Sequence, residues 1–342
     1  MSLSCRSIVL RSRPVGQPRL DDFAIVEGPM PRPGDGEVLT RTLWLSLDPY
    51  MRGRMSEGPS YAAPVALGEP MTGETVGEVV TSHDAAFVPG QIVLGARGWQ
   101  SHVVSRAESL VALPRRAPHS AYLGVLGMPG VTAFAGMRDI GMPQAGETVV
   151  VSAASGGVGS VAGQLAKRAG SRVIGIAGGP EKCAFVRNEL GFDDCIDYHA
   201  AAHLPAALRA LCPDGIDVYF ENVGGIVQEA VYPLMRDFGR MVMCGMVSEY
   251  SDRVVRPGPN LRDTFVKRLR IQGFIVLDRP ADFATWRELA APWVEEGTLR
   301  YREQVVEGLD NAPAGFLAML GGQSLAKTVV RVAEPSENAL QG

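Results

Sequence analysis

The 342-residue sequence contains no uninterrupted apolar run approaching the roughly twenty residues that a membrane-spanning helix requires. Cysteine is also scarce: the five cysteines are widely scattered, and none belongs to a Cys-x-x-Cys pair or a Cys/His cluster. This distribution supports neither a disulfide framework nor a structural zinc site. His199 and His203 are four residues apart with no carboxylate between them, so we interpret them as solvated surface residues rather than as metal ligands.

An excess of positive charge is absent as well. The formal net charge is −4 and the isoelectric point is near 5.8, which argues against a nucleic-acid or anionic-membrane partner. The hydrophobic fraction of 46% and the charged fraction of 20% are ordinary for a globular enzyme, and the length predicts two domains. Arg6 and Arg11 stand where a secretory signal needs its apolar core, so we expect a cytoplasmic protein.

The most informative feature present is a strand, a glycine turn and a helix in succession. Residues 148–151 form an apolar, β-branched run, and small residues then lead through a turn that contains Gly156, Gly157 and Gly159. Beyond the turn, apolar residues recur at helical spacing: Val158, Val161, Ala162, Leu165 and Ala169. A pyrophosphate needs backbone N–H groups and the positive end of a helix brought close, so side chains must be absent. We therefore predict a dinucleotide site here, with Gly163 letting the helix lie close to the strand.

The two parts of the chain differ in their pattern of elements. Residues 1–126 contain short β runs broken by Gly and Pro, typical of a β-rich, barrel-like domain: 37–47, 74–81, 91–95 and 101–105. Beyond residue 147, strands and helices alternate, which predicts a doubly wound parallel sheet. The later strands are predicted at 172–177, 195–198, 216–221, 240–244 and 269–276, and the helices at 181–190, 204–211, 226–235 and 281–296. A helix near 312–320 and a strand at 328–332 are placed to return to the first domain.

The residues after the second strand of the glycine-turn unit bear on which dinucleotide binds. An NAD-binding unit would place Asp or Glu there to hold the ribose 2′-hydroxyl, but this chain has Gly178 and Gly179, followed by Lys182. A lysine without that carboxylate suits a 2′-phosphate, so the sequence favours NADPH. The alternative is that Lys182 is an ordinary surface lysine.

Several segments, in the same order along nearly the whole chain, fit one family. They are Leu45–Arg52, Gly127–Phe134, Ala153–Gly159, Phe220–Gly225, Cys244–Tyr250, Arg270–Phe274 and Ala326–Thr328. In these segments the chain resembles the zinc-independent medium-chain dehydrogenase/reductases, specifically the leukotriene B4 12-hydroxydehydrogenase/prostaglandin reductase branch. That branch also includes plant double-bond reductases and bacterial curcumin reductase-like enzymes.

The resemblance implies an α/β fold built from two domains. A GroES-like β-barrel catalytic domain would span residues 1–127 and be completed by residues 304–342, and a Rossmann NADPH-binding domain would span residues 128–303. A homodimer and a small-molecule substrate are implied as well. Zinc-dependent relatives place Cys and Gly-His-Glu ligands where this chain has Leu45–Tyr50 and Thr72–Glu74, which offer neither Cys nor His, so we expect no metal.

The resemblance also implies cofactor contacts at the matching positions. The pyrophosphate turn matches Gly156, Gly157, Val158 and Gly159. The grip on the adenosine 2′-phosphate matches Lys182 and Tyr198. The ribose and nicotinamide walls match Asn222, Cys244, Gly245, Met246, Ser248, Tyr250, Phe274, Ile275 and Val276. Ser324 stands where relatives often have Asn near the cofactor, and for Cys244 and Phe274 packing at strand ends is an open alternative.

Conjugate reduction suits a site without a Lewis acid, because hydride goes to the β-carbon of an enone or enal and the enolate oxygen then needs only a hydrogen-bond donor. We hypothesise NADPH-dependent reduction of the C=C bond of an α,β-unsaturated aldehyde or ketone, with the cofactor's ribose 2′-hydroxyl stabilising the enolate. Tyr50 would donate a hydrogen bond to the enolate or relay the α-carbon proton, unless it simply packs a turn after Pro49. Many relatives have a further Tyr where this chain has Val266, so no tyrosine clamp is expected there.

Two other functions stay open at this level. The same fold and cofactor serve quinone reduction, so an NADPH:quinone reductase is the main alternative. A non-catalytic NADPH-binding protein is less favoured, because the cofactor turn is intact and nothing basic or repetitive indicates a binding scaffold.

Overall fold

The protein is described by a computed structural model that covers residues 4–114, 118–201, 203–252, 257–336 and 339. The chain divides into two compact units. The first unit comprises Met1–Leu123, Glu303–Ser324 and Thr328–Gly342, and the second comprises Gly124–Arg302 and Leu325–Lys327. None of the described helices is both long and apolar enough to cross a membrane.

The elements follow one another in three stretches of the chain. The first stretch contains β1 Ser4–Leu10, β2 Phe23–Pro29, β3 Glu37–Ser46, α1 Tyr50–Arg54, β4 Glu74–Ser82, β5 Ile92–Arg97, β6 His102–Arg106 and β7 Val111–Ala112. The second contains α2 Met128–Gly136, β8 Thr148–Ser152, α3 Gly159–Arg168, β9 Arg172–Ala177, α4 Pro180–Asn188, β10 Asp194–Asp197, α5 Leu204–Leu211, β11 Ile216–Glu221, α6 Gly225–Val231, β12 Met235–Met243, α7 Arg262–Val266, β13 Arg270–Gly273 and α8 Pro280–Glu295. The third contains β14 Glu303–Glu307, α9 Ala312–Leu320 and β15 Lys327–Arg331.

The first unit is built on a seven-stranded sheet with the path β14-β15-β3-β4-β5-β7, to which β6 adds by pairing with β3. The chain's last strand, β15, pairs antiparallel with β3, placing Val330 opposite Leu45. The core below the sheet is aromatic: the buried Trp99 stacks on Phe23 with ring centroids 5.7 Å apart and meets the edge of Phe316 at 5.6 Å. Burial of these large apolar rings is what holds the returning segment against the amino-terminal strands.

The second unit is a six-stranded parallel sheet in the order β10-β9-β8-β11-β12-β13. Its central strand is apolar on both faces, since Val149, Val150 and Val151 are all fully buried, as expected where helices cover both sides. The predicted doubly wound sheet is confirmed. The chain adds β9 and β10 on one side of β8 and then crosses back to add β11, β12 and β13 on the other. Ligands of such folds bind beyond the carboxyl ends of the strands at this switch point.

Three predicted elements differ clearly from their predicted bounds. The helix expected at 226–235 stops at Val231 and passes into a 3₁₀ turn over Tyr232–Leu234, because Pro233 has no N–H and restricts the residue before it. β12 therefore begins at Met235 instead of Arg240. The strand expected at 269–276 is also shorter, since β13 ends at Gly273.

Candidate functional site

The glycine turn between β8 and α3 has no room for a side chain at its tightest point. A Cβ on Gly159 would overlap the carbonyl oxygen of Ala153 and lie 2.9 Å from its carbonyl carbon, which is closer than real Cβ atoms approach. Ala153 itself has a left-handed backbone, with φ +48°, and accepts a 3.0 Å hydrogen bond from the Gly156 N–H. Backbone groups therefore line the start of α3, as a pyrophosphate requires.

Gly163 is also required by packing, against a residue that the sequence did not indicate. A Cβ on Gly163 would overlap the ring of Phe192, a buried residue in the connection between α4 and β10. The nearest group that Gly163 accommodates is this ring, and its role in bringing the helix close to the strand stays a prediction. In the sequence, Phe192 is visible only as an aromatic residue two positions after Leu190.

Lys327 lies against the same turn and was not among the cofactor-binding residues predicted from the sequence. Its Cδ is 3.1 Å from the position that a Cβ on Gly157 would take, and the residue is only 7% exposed. A buried cation packed along a glycine turn is well placed for an anionic group. Its signal in the sequence is limited to its place in the short segment Ala326–Thr328.

The adenosine end of the candidate site is the loop Gly178–Gly179 between β9 and α4. A Cβ on Gly178 would lie 3.1 Å from the ring of Tyr198, so the loop and Tyr198 are in contact. Lys182, in the first turn of α4, is half-buried, and this burial lowers the pKa of its ammonium group. Loss of hydration makes such a cation a good partner for a phosphate.

An acidic residue does lie near this loop, but its carboxylate already accepts hydrogen bonds from backbone N–H groups of the protein. Asp197 Oδ1 accepts hydrogen bonds from the Gly179 N–H at 2.8 Å and the His199 N–H at 3.0 Å. These bonds, the Gly179 one foremost, lower the pKa of Asp197. The end of β9 itself carries no acid, so the fit favours a 2′-phosphate over a free 2′-hydroxyl.

The carboxyl ends of β11 and β12 form the other half of the candidate site. The Asn222 side chain donates to the Ser152 carbonyl at 2.7 Å, and the Asn222 carbonyl accepts from the Val247 N–H at 3.1 Å. The Ser248 N–H and Oγ both donate to the Val223 carbonyl, at 2.9 and 2.6 Å. The structure therefore brings Asn222 and the predicted segment 244–250 together at one edge of the sheet.

The side chains of that segment differ in exposure. Tyr250 is more than one-third exposed, and its hydroxyl lies 2.9 Å from the position that a Cβ on Gly245 would take, so Gly245 keeps this tyrosine close to the backbone. Met246 is half-buried. Cys244 is also half-buried, and desolvation raises the pKa of its thiol to about 12. The thiol is therefore an apolar wall rather than a nucleophile.

The predicted positions after β13 lie at the same edge, because β13 runs parallel to β12. Phe274 and Ile275 are half-buried, while Val276 is 8% exposed and packs into the core. Val266 lies elsewhere: it ends α7, which leads into the amino end of β13, and is exposed. The position where relatives often have Tyr is therefore at the opposite edge of this sheet from the cofactor residues.

Tyr50 and Ser324 belong to the first unit. Burial, together with the carboxylates of Asp48 and Glu74, raises the pKa of Tyr50, so its phenol stays protonated and can donate. The guanidinium of Arg54 lies 5.7 Å from the Tyr50 ring centroid. The Ser324 hydroxyl is in hydrogen-bond contact with Thr328 Oγ1 at 3.0 Å.

Among the described residues, no three His, Cys, Asp or Glu side chains are grouped so that they could hold a metal ion. The residues present instead fit a dinucleotide: a turn closed to side chains, a half-buried lysine at one end and an amide with apolar neighbours at the other.

Known proteins resemble this chain over almost its full length. Two family models match, one described as the N-terminal domain of oxidoreductase over residues 6–113 and one as zinc-binding dehydrogenase over residues 157–296. The NADPH-dependent curcumin reductase of Escherichia coli (strain K12) is 45% identical, covering 96% of this chain and 97% of that protein. The NADP(+)-dependent 2-alkenal reductase of Nicotiana tabacum is 38% identical, covering 96% and 98%. The crystal structure of CurA from Vibrio vulnificus in complex with NADPH is 45% identical, with a TM-score of 0.91, covering 96% of this chain and 100% of that chain.

Proposed function

The chain belongs to the zinc-independent medium-chain dehydrogenase/reductases, in their double-bond reductase branch, and from this premise we propose that it reduces the C=C bond of α,β-unsaturated aldehydes and ketones with NADPH. The family and the fold class predicted from the sequence, a GroES-like β-barrel domain with a Rossmann sheet, are confirmed. The observation that carries the proposal is the turn at Gly159, where any side chain would overlap the Ala153 carbonyl oxygen.

NADPH is the cofactor, and when bound it supplies the hydride. We assign its pyrophosphate to the turn Gly156–Gly159 with Lys327 beside it, and its 2′-phosphate to Lys182 and Tyr198. Its nicotinamide half is assigned to Asn222, segment 244–250 and segment 274–276, with Ser324 as a further proposed contact. Apolar side chains such as Cys244 and Phe274 keep water away from a reactive ring, and the amide of Asn222 suits ribose hydroxyls.

The chain's own chemical contribution is the handling of the enolate. Reduction at the β-carbon leaves negative charge on the carbonyl oxygen, which a neutral hydroxyl stabilises by donating a hydrogen bond. We assign this role to Tyr50, whose phenol is kept protonated by burial and by Asp48 and Glu74. The same phenol can deliver the α-carbon proton and recover it from solvent.

The substrate panel that tests this proposal pairs enones and enals with quinones. We expect NADPH oxidation with 4-hydroxyalkenals or cyclic enones and formation of the saturated carbonyl product, measured by absorbance and mass spectrometry. Turnover of quinones alone would instead identify an NADPH:quinone reductase. NADPH binding without turnover of any panel member would identify a non-catalytic binding protein.

Replacing Lys182 by methionine should remove the preference of the enzyme for NADPH over NADH. The charge-assisted hydrogen bond to the 2′-phosphate is lost, so kcat/KM for NADPH should fall about ten- to hundredfold, while kcat/KM for NADH should not fall. Steady-state kinetics with both dinucleotides measures the change. Lys167→Met is the matched control, because the Lys167 ammonium pairs with Asp193, and an equal loss in both variants would contradict the assignment.

We also propose the chain's organisation and setting. The division into compact units supports a catalytic domain at 1–127 with 304–342 and an NADPH-binding domain at 128–303. The five cysteines are free thiols, which supports a reducing cytoplasm. β13 is an edge strand of its sheet, and its Ile271 is exposed. Because an exposed edge strand can pair with another chain, this supports a homodimer. Light scattering of the purified protein would test the dimer.

A further inference from the structure

A fully buried carboxyl group lies directly beneath the proposed nicotinamide half of the site and has no role in the scheme above. Glu221, the last residue of β11, is 0% exposed. Its burial raises the pKa of the carboxyl group, although hydrogen bonds from neighbouring groups act in the opposite direction. A buried acid is costly unless its hydrogen bonds do something that an apolar residue cannot.

One oxygen of this carboxyl group ties together two separate parts of the site. Glu221 Oε1 accepts from the Val223 N–H at 2.7 Å and the Gly224 N–H at 3.1 Å, and so shapes the loop after β11. The same oxygen accepts from the Ser152 hydroxyl at 2.9 Å, which anchors the loop to the end of β8.

The Ser152 hydroxyl passes this constraint to Asn222. Ser152 Oγ accepts from the Asn222 N–H at 2.8 Å, while the Asn222 side chain donates to the Ser152 carbonyl at 2.7 Å. The main chain of Glu221 anchors segment 244–250, since the Glu221 carbonyl accepts from the N–H groups of Cys244 and Gly245 at 3.0 and 3.1 Å. Asn222, Cys244 and Gly245 are therefore all held by hydrogen bonds to Glu221, either directly or through Ser152.

Strand order separates this network from the adenosine half. Lys182 and Tyr198 follow β9 and β10 on one side of β8, whereas Glu221 ends β11 and segment 244–250 follows β12 on the other side. A change at Glu221 should therefore act on one half of a bound dinucleotide and spare the other.

We propose that Glu221 is a positioning residue for the nicotinamide half of NADPH, acting through Ser152 and Asn222. The inference rests on the proposed NADPH-dependent reduction. What the network requires is an acceptor at Oε1, because three donors converge there. The buried Tyr219 hydroxyl, on the same face of β11, also acts on this carboxyl group, and a hydroxyl can accept from an amide as well as donate to an acid. An amide can therefore replace the acid, with its oxygen facing the three donors.

The test compares two ligands rather than activities. NADPH binding is measured by fluorescence and calorimetry, and adenosine 2′,5′-bisphosphate serves as a probe of the adenosine half alone. In Glu221→Met, which matches the length but removes the acceptor, the Kd of NADPH should rise about ten- to hundredfold. The Kd of the bisphosphate should stay within about twofold. Glu221→Gln should keep both affinities near those of the unaltered protein.

Ser152→Ala provides a milder variant should Glu221→Met fail to fold. It removes only the hydroxyl that bridges Oε1 and the Asn222 N–H, and should weaken NADPH several-fold (about 1 kcal/mol converted) without weakening the bisphosphate. Equal losses for both ligands, no loss for either, or a Glu221→Gln variant as impaired as Glu221→Met would overturn the inference. If the unaltered protein bound the bisphosphate but not NADPH, the proposed function would fall first and the inference with it.

Discussion

Replacing Gly159 by alanine is expected to reduce kcat/KM for NADPH by about a hundredfold, because misplacement of a binding element by about 1 Å costs roughly that factor. The new methyl group would overlap the Ala153 carbonyl oxygen, so the turn must open and the start of α3 must move. Overpacking of this kind also lowers the free energy of unfolding by about 1–3 kcal/mol. Kinetics, NADPH titration and thermal unfolding together measure the change.

The matched control for this variant is Gly258→Ala. A Cβ on Gly258 meets nothing within 4 Å, so activity and stability should match those of the unaltered protein. A Gly159→Ala variant with normal NADPH affinity would show that the turn does not bind the pyrophosphate, whatever its fold.

Replacing Tyr50 by phenylalanine is expected to lower kcat about a hundredfold, the usual contribution of a positioned proton donor. The ring and its packing against Arg54 are kept, so the Kd of NADPH and the melting temperature should not change. Because the pKa of Tyr50 is raised, the donor form persists as pH rises, and kcat of the unaltered enzyme should not decline through pH 9 on account of this group. The pH profile of kcat for both proteins provides the measurement.

Tyr61→Phe is the control for loss of a phenol in the same neighbourhood, since the Arg54 guanidinium also lies 4.8 Å from the Tyr61 ring centroid. It should retain kcat to within a fewfold. If Tyr50→Phe did the same, Tyr50 would be a packing residue and the enolate would be stabilised without it.

The sequence predicted most of the fold because the second unit obeys local rules. The strand at 172–177 and the helix at 204–211 have the bounds that periodicity indicates. The misplaced start of β12 has a physical cause: Arg236, Asp237 and Phe238 are exposed, so the amino half of that strand lacks the apolar run of a buried parallel strand.

The candidate site was predictable where chemistry is encoded in one segment and not where it depends on distant contacts. The glycine spacing and Lys182 stand in continuous motifs. The packing of Lys327 on Gly157 joins residues 170 positions apart, and no local pattern indicates it. Glu221 was visible as part of the segment Phe220–Gly225, but only the fold brings three donors together on one of its oxygens.

Conjugate reduction requires that hydride goes to the β-carbon of an α,β-unsaturated carbonyl compound, and an isotope label on the hydride shows where it goes. The enzyme would be supplied with NADPH deuterated at the transferred position of the nicotinamide and with an α,β-unsaturated ketone, and the product examined by NMR and mass spectrometry. We expect a saturated ketone with one deuterium on the β-carbon and none on the carbonyl carbon. An allylic alcohol with deuterium on the carbinol carbon would contradict conjugate reduction.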